Sequence, residues 1–411
     1  MPSEIDLLKS LDDEPRTPST VDVRRAVTDG RRRRRIRRGV GYASAAAVTA
    51  LAVAGASLAG GRLNQAPSNA AASTTTSARP KAPYTIPGTA GWRAPAATPP
   101  TSCTLNRLPL PDNEPQALVS GADPAGRYIV GRTYPKGGGY QAVIWHDGKV
   151  RKANFPGNEE ESLRDVNSKG TAVGWSYAGK PVPYVYSDGK VSKLAGVKYG
   201  HASAINDAGA ILGDDASDEA ILVWPTATAK PFRLPLPAGT SGAEAGDIDE
   251  DGTVVGTLDD KQPYVWFPDG THRELPMPSL GGKPATEAHV FTIHNGWATG
   301  LASSDLKGDG TAGGGSGSVR WNVRTGETQV FEEFLIRAST ANAQGWQVGT
   351  DHQGRAVLMA GSATVTLPDL YAHQKDDLAN IATTVSDDGR TIAGQSDDAT
   401  TAFQAVVWRC Q

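Results

Sequence analysis

The sequence predicts an all-β fold: a seven-bladed β-propeller, its ring closed by an N-terminal strand in the last blade and preceded by one transmembrane helix. Three observations carry this. One strand–turn–strand motif recurs seven times at a near-constant interval. Each recurrence has room for four short strands. A single uncharged 22-residue segment, 39–60, follows a run of arginines.

The chain has 411 residues, 47 of them Gly and 28 Pro, a composition suited to many turns and short strands. Its formal net charge of −3 hides an asymmetry. Residues 1–38 hold eleven Lys/Arg against seven Asp/Glu, leaving 30 bases and 37 acids in the remainder. A basic head and an acidic body point to two compartments rather than to a nucleic-acid binder.

Residues 39–60 are long enough to cross a bilayer core as a helix. Arg31–Arg35, Arg37 and Arg38 stand directly before them, which predicts a cytoplasmic N-terminus and an extracellular body. Ser57-Leu58-Ala59 would suit a cleaved secretory signal, but a 38-residue leader before the apolar segment favours a retained signal-anchor. The Arg-rich tail, 1–38, is too short to fold alone. Residues 61–101, rich in Ala, Ser, Thr and Pro, read as a disordered spacer able to reach on the order of 140 Å.

The propeller is predicted over 102–411. The second strand of each unit ends in Val-Gly or a variant, at Gly131, Gly174, Gly213, Gly256, Gly300, Gly349 and Gly394. The third ends in an aromatic at Trp145, Trp224, Trp266, Trp321 and Trp408, read as packing between blades. Asp-Gly turns between alternating strands predict hairpins. AINDAGAILG followed by AILVW, and DIDEDGTVVG followed by PYVW, resemble the HAF repeat of extracellular proteins from high-GC bacteria. The resemblance spans about residues 115–410 and lacks the His-Ala-Phe triplet that names the repeat. It implies a cell-surface propeller and carries over no catalytic residue.

The seventh unit stops after three strands, so CTLNRLPLP is predicted to supply its outer strand. Aligning Leu108 with Leu194 and Leu105 with Val191 places Cys103 and Cys410 where the second blade has its Asp188-Gly189 turn. A disulfide there replaces the missing turn and suits an oxidising compartment.

Asp247, Asp249 and Asp251 have the D-x-D-x-D-G spacing of calcium loops, but lack the Glu at the twelfth position and align with an ordinary hairpin. The segment after the Val-Gly strand carries Asp214-Asp215, Asp259-Asp260 and Asp397-Asp398, with Trp175 and Tyr177 equivalent in the second blade. These are the expected binding face, opposite the disulfide, with the Gly-rich run 308–317 beside it. His289 and His294, five apart, are expected on opposite faces of a strand. No hydrolase, zinc-protease or phosphate-loop motif occurs, and no cofactor is implied beyond the calcium reading.

The expected function is therefore a membrane-anchored, monomeric, non-enzymatic binding or scaffold module for a cell-wall glycan or protein ligand. The alternatives are a carbohydrate-active or other channel-site enzyme, marked by carboxylates in the channel mouth, and a transmembrane sensor signalling through the Arg-rich tail.

Overall fold

The computed structural model describes residues 96–411 apart from 158–159, 178, 219, 305–314, 373–378 and the side chains of 335–339. The tail 1–38, the predicted transmembrane segment 39–60, the spacer up to residue 95 and most of the run 308–317 lie outside the described residues. Among the described residues, no helix is long and apolar enough to cross a membrane.

Seven four-stranded antiparallel sheets follow one another along the chain and pack in a ring, the first against the seventh. Blade one comprises Ala117–Ala122, Tyr128–Thr133, Gln141–His146 and Lys149–Lys152, from channel to rim. The inner strands of the next five blades are Glu160–Val166, Ala202–Ile205, Ala243–Ile248, Glu287–His294 and Phe334–Ala341. Blade seven joins Asn380–Val385, Thr391–Asp397 and Phe403–Cys410 to the outer strand Cys103–Arg107.

The closure follows the predicted register. Cys103 lies opposite Cys410, Leu105 opposite Trp408 and Arg107 opposite Val406. Leu108 N–H donates to Ala405, as Leu194 N–H donates to Pro183 in blade two. Cys103 and Cys410 form a disulfide, their Cα atoms 4.0 Å apart and 307 residues apart in sequence. The incoming chain is pinned beside it, because Thr101 N–H donates to the Gln411 carbonyl at 2.7 Å.

A repeated latch explains the third-strand tryptophans. The Trp145, Trp224, Trp266, Trp321 and Trp408 indoles each donate to a carbonyl at the end of the preceding blade's outer strand: Pro109, Ala195, Pro235, Pro276 and Pro368. These bonds span 2.7–2.8 Å, so each ring supplies buried apolar area and satisfies its one donor. The Val-Gly glycine makes room for the arrangement. A Cβ on Gly131 would stand 1.9 Å from the Leu118 carbonyl oxygen and 3.1 Å from the Trp145 ring, and one on Gly300 would stand 1.8 Å from the His289 oxygen. The inner strand bulges beside each of these positions, which brings its carbonyl close.

Candidate functional site

At the end of the channel that carries the inner hairpins, one polar position serves two blades. Asn167 accepts from the N–H groups of Lys169 and Thr171 in its own turn, while its amide donates to the Asn206 carbonyl of blade three. Asn206 repeats this toward Asp249, and Asn342 toward Ser386. In blade five the hairpin is shorter, turning at Asn295-Gly296 with both residues at positive φ, and Asn295 donates to Ala343. In blades two, three and six the Asx turn that makes the hairpin thus also staples it to the next blade.

The carboxylates here do the same work. Asp165 accepts from Val166 and, in blade three, Ile205; Asp247 accepts from Ile248 and, in blade five, Ile293. Asp249 accepts from Glu250, Asn295 and Gly296, and the Glu250 carboxylate from Asp207 N–H. Asp251 accepts from Thr253 N–H and is bonded to Arg324 of blade five. The three aspartates of the calcium spacing therefore point to different amides and cations instead of converging. Among the described residues, no group of three or more His, Cys, Asp or Glu is placed to hold a metal ion.

Enclosure by neighbouring blades sets the protonation of this cluster. Burial pushes Asp165 up to about 7, with the Glu250 charge adding, and Asp247 up to about 8, with the Asp165 charge adding. Burial also raises Glu250 to about 7. The Asp165–Asp247 pair consequently retains a proton near neutrality.

His294, paired in the sequence only with His289, has its partner 93 residues away. Its Nε2 meets the Asp387 carboxylate at 2.7 Å, from blade five to blade seven. The same carboxylate oxygen accepts from Ala343 of blade six, and Asp387 N–H donates to Pro124 of blade one. One aspartate thus ties four blades. Burial works against the His294 charge, but Asp387, Asp249 and Glu250 outweigh it and hold the imidazole up at about 10. The opposite-face expectation for the two histidines does not hold either. A bulge between Val290 and Thr292 adds a residue, so their register partners, Leu301 and Trp297, are four apart.

The predicted binding-face residues come to the opposite end, but not as an open ring. Trp175 is a strand residue, only 4 % exposed, edge-on to His201 at 5.0 Å and under the Arg164 guanidinium at 5.5 Å. It is no stacking platform; Tyr177, at the end of the same strand, is half-buried. Asp214 and Asp215 close the strand Ile211–Asp215, with Asp214 bonded to His201 Nδ1 at 2.9 Å and Asp215 capping Ser217. Asp259 and Asp260 form a left-handed turn, and the Asp259 carboxylate accepts from Ser241 and Gly242. Asp397 ends the strand Thr391–Asp397, and Asp398 caps Thr400 and Ala402. Hydrogen bonds from Ser241 hold Asp259, and from Thr400 hold Asp398, below the usual carboxylate range, so both stay charged.

Comparison with protein-family models finds no match, and comparison with curated proteins finds none. Among solved structures, oligogalacturonate lyase in complex with manganese matches with a TM-score of 0.50 and 10% identity, over 77% of this chain and 96% of that chain. A catalytically inactive virginiamycin B lyase from Staphylococcus aureus, with quinupristin, matches with a TM-score of 0.49 and 13% identity, over 75% of this chain and 100% of that one. At these identities the likeness is one of fold alone.

Proposed function

We propose that the chain is a cell-surface binding module: a propeller anchored by residues 39–60, with its N-terminus cytoplasmic and its acidic, second-strand-end face presented to a cationic wall polymer or protein. The observation that carries this is the use made of the channel carboxylates. Asp165, Asp247 and Asp249 each spend both oxygens on backbone N–H groups, including those of a neighbouring blade. Such groups staple the ring, their oxygens committed to backbone N–H groups. Export is supported by the Cys103–Cys410 disulfide, which suits an oxidising compartment. The chain at Thr101 and the clamp share one end of the ring, and the second-strand ends that carry the charged Asp259 and Asp398 lie at the other.

The test is a binding array of cell-wall glycans and basic peptides probed with the full chain. Retention of cationic ligands is expected, weakening with salt and reduced by Asp215→Asn with Asp259→Asn. Turnover of any arrayed glycan, or binding that ignores salt and both substitutions, would overturn the reading.

A further inference from the structure

The interface between blades five and six departs from the rest of the ring at two repeat positions. The residue opposite the third-strand aromatic is apolar elsewhere, as in the pairs Ile129↔Trp145, Ile211↔Trp224 and Val254↔Trp266. In blade six it is Gln347, opposite Met359. Gln347 is wholly buried, and neither its amide nitrogen nor its oxygen has a partner. The residue before the aromatic is likewise apolar elsewhere, as at Ile144, Val223 and Val265, but in blade five it is Arg320.

Arg320 faces the same seam. Its guanidinium is bonded to the Gly345 carbonyl and to Gln329 Oε1, and lies 4.7 Å from the Trp297 ring centroid and 5.3 Å from that of Phe331. Its Nε has no partner, and neither has the buried Trp297 Nε1. These groups meet over Gly345: a Cβ there would stand 3.0 Å from Arg320 Nη1 and 3.3 Å from Trp297 Nε1. Gln347 is two residues further along the same chain. Among the described residues, no carboxylate lies within ion-pair distance of Arg320.

The Arg320 guanidinium is half-enclosed, with its Nε shut off from solvent and no described carboxylate in contact, and this enclosure pulls it down to about 10, with only Glu327 opposing. Three of the four open valences are N–H donors. A cation is therefore excluded on chemistry, and a water would satisfy the donors but leave the charge. We propose that a small monovalent anion of the halide class binds between blades five and six, held by Arg320 Nε–H, Trp297 Nε1–H and the Gln347 amide. The anion supplies the counter-charge called for by Arg320, which brings a cation to a position that is apolar in the other blades.

The experiment titrates chloride against gluconate at constant ionic strength and follows thermal unfolding of the full chain with its disulfide intact. A saturable rise in melting temperature with chloride is expected. Gln347→Leu restores the apolar residue found at this position in other blades, so it should fold and should melt at a temperature independent of chloride. A crystal soaked in bromide should show an anomalous peak beside Trp297 Nε1. Equal melting in chloride and gluconate, a chloride response that survives Gln347→Leu, or water in place of bromide would each overturn the proposal.

Discussion

The interface between blades four and five and the one between blades five and six join neighbouring copies of one repeat, yet they are built differently. The first buries a cluster of thirteen residues around Trp321, whose indole is latched to Pro276. Among the described residues the second buries Phe331, Phe334 and Val357, with Met359 in place of the tryptophan. The Glu332 carbonyl that follows Phe331 is taken by His352 Nε2 instead of an indole. Where the third-strand indole is missing, polar groups stand in the seam beside the remaining aromatics. The two joints therefore differ in kind: one closes around a latched indole, the other around a guanidinium and an amide.

The largest expected effect comes from the clamp. Replacing both Cys103 and Cys410 by Ser should cost up to about 5 kcal/mol in urea unfolding, because a 307-residue loop is released in the unfolded chain. Hydrogen exchange then sharpens the comparison. If blade seven opens first, the clamp sets the limit; if the strands around Gln347 exchange first, the polar seam does.

Next comes Trp321→Ala, expected to cost about 4 kcal/mol by opening a cavity and leaving the Pro276 carbonyl bare. Met359→Ala in the polar seam should cost only about 2 kcal/mol, at the low end for such a truncation. Equal costs in equilibrium unfolding would break the contrast between the two joints.

Asp387→Ala should cost about 3 kcal/mol, since it strands the partly buried His294 charge and frees Ala343 N–H. Loss should be felt on both sides of blade six, visible as faster exchange in blades five to seven.

A further test is with pH. His294 has a folded value of about 10, raised above its ordinary 6.5. Its contribution is therefore fully present below about pH 6.5 and is lost as pH rises through 10. Asp165 and Asp247, raised to about 7 and about 8, act in the same direction over a lower window, from their ordinary 3.8 upward. The melting temperature should fall from pH 5 to pH 10. A His294→Gln variant should lose the upper part of that fall and keep the lower.

The blade count, the strand order, the closing strand and the disulfide were all legible in the chain itself. Each rests on local pattern repeated at an interval of about forty residues, and copies of the pattern reveal what any one copy lacks. Aligning Leu105 and Leu108 with Val191 and Leu194 was enough to place Cys103 against Cys410. The candidate site was not legible in the same way. The D-x-D-x-D-G spacing suggested convergence on one cation, but ring geometry sends Asp247 to Ile293, Asp249 to Asn295 and Asp251 to Arg324. Trp175 had the right position for the open face, yet a neighbouring blade covers it through His201. The staple His294–Asp387 and the polar seam at Arg320 and Gln347 depend on which residues ring closure brings together across blades. A repeat determines the hairpin it folds into; only packing the seven in a circle decides what each hairpin's outward polar atoms will meet.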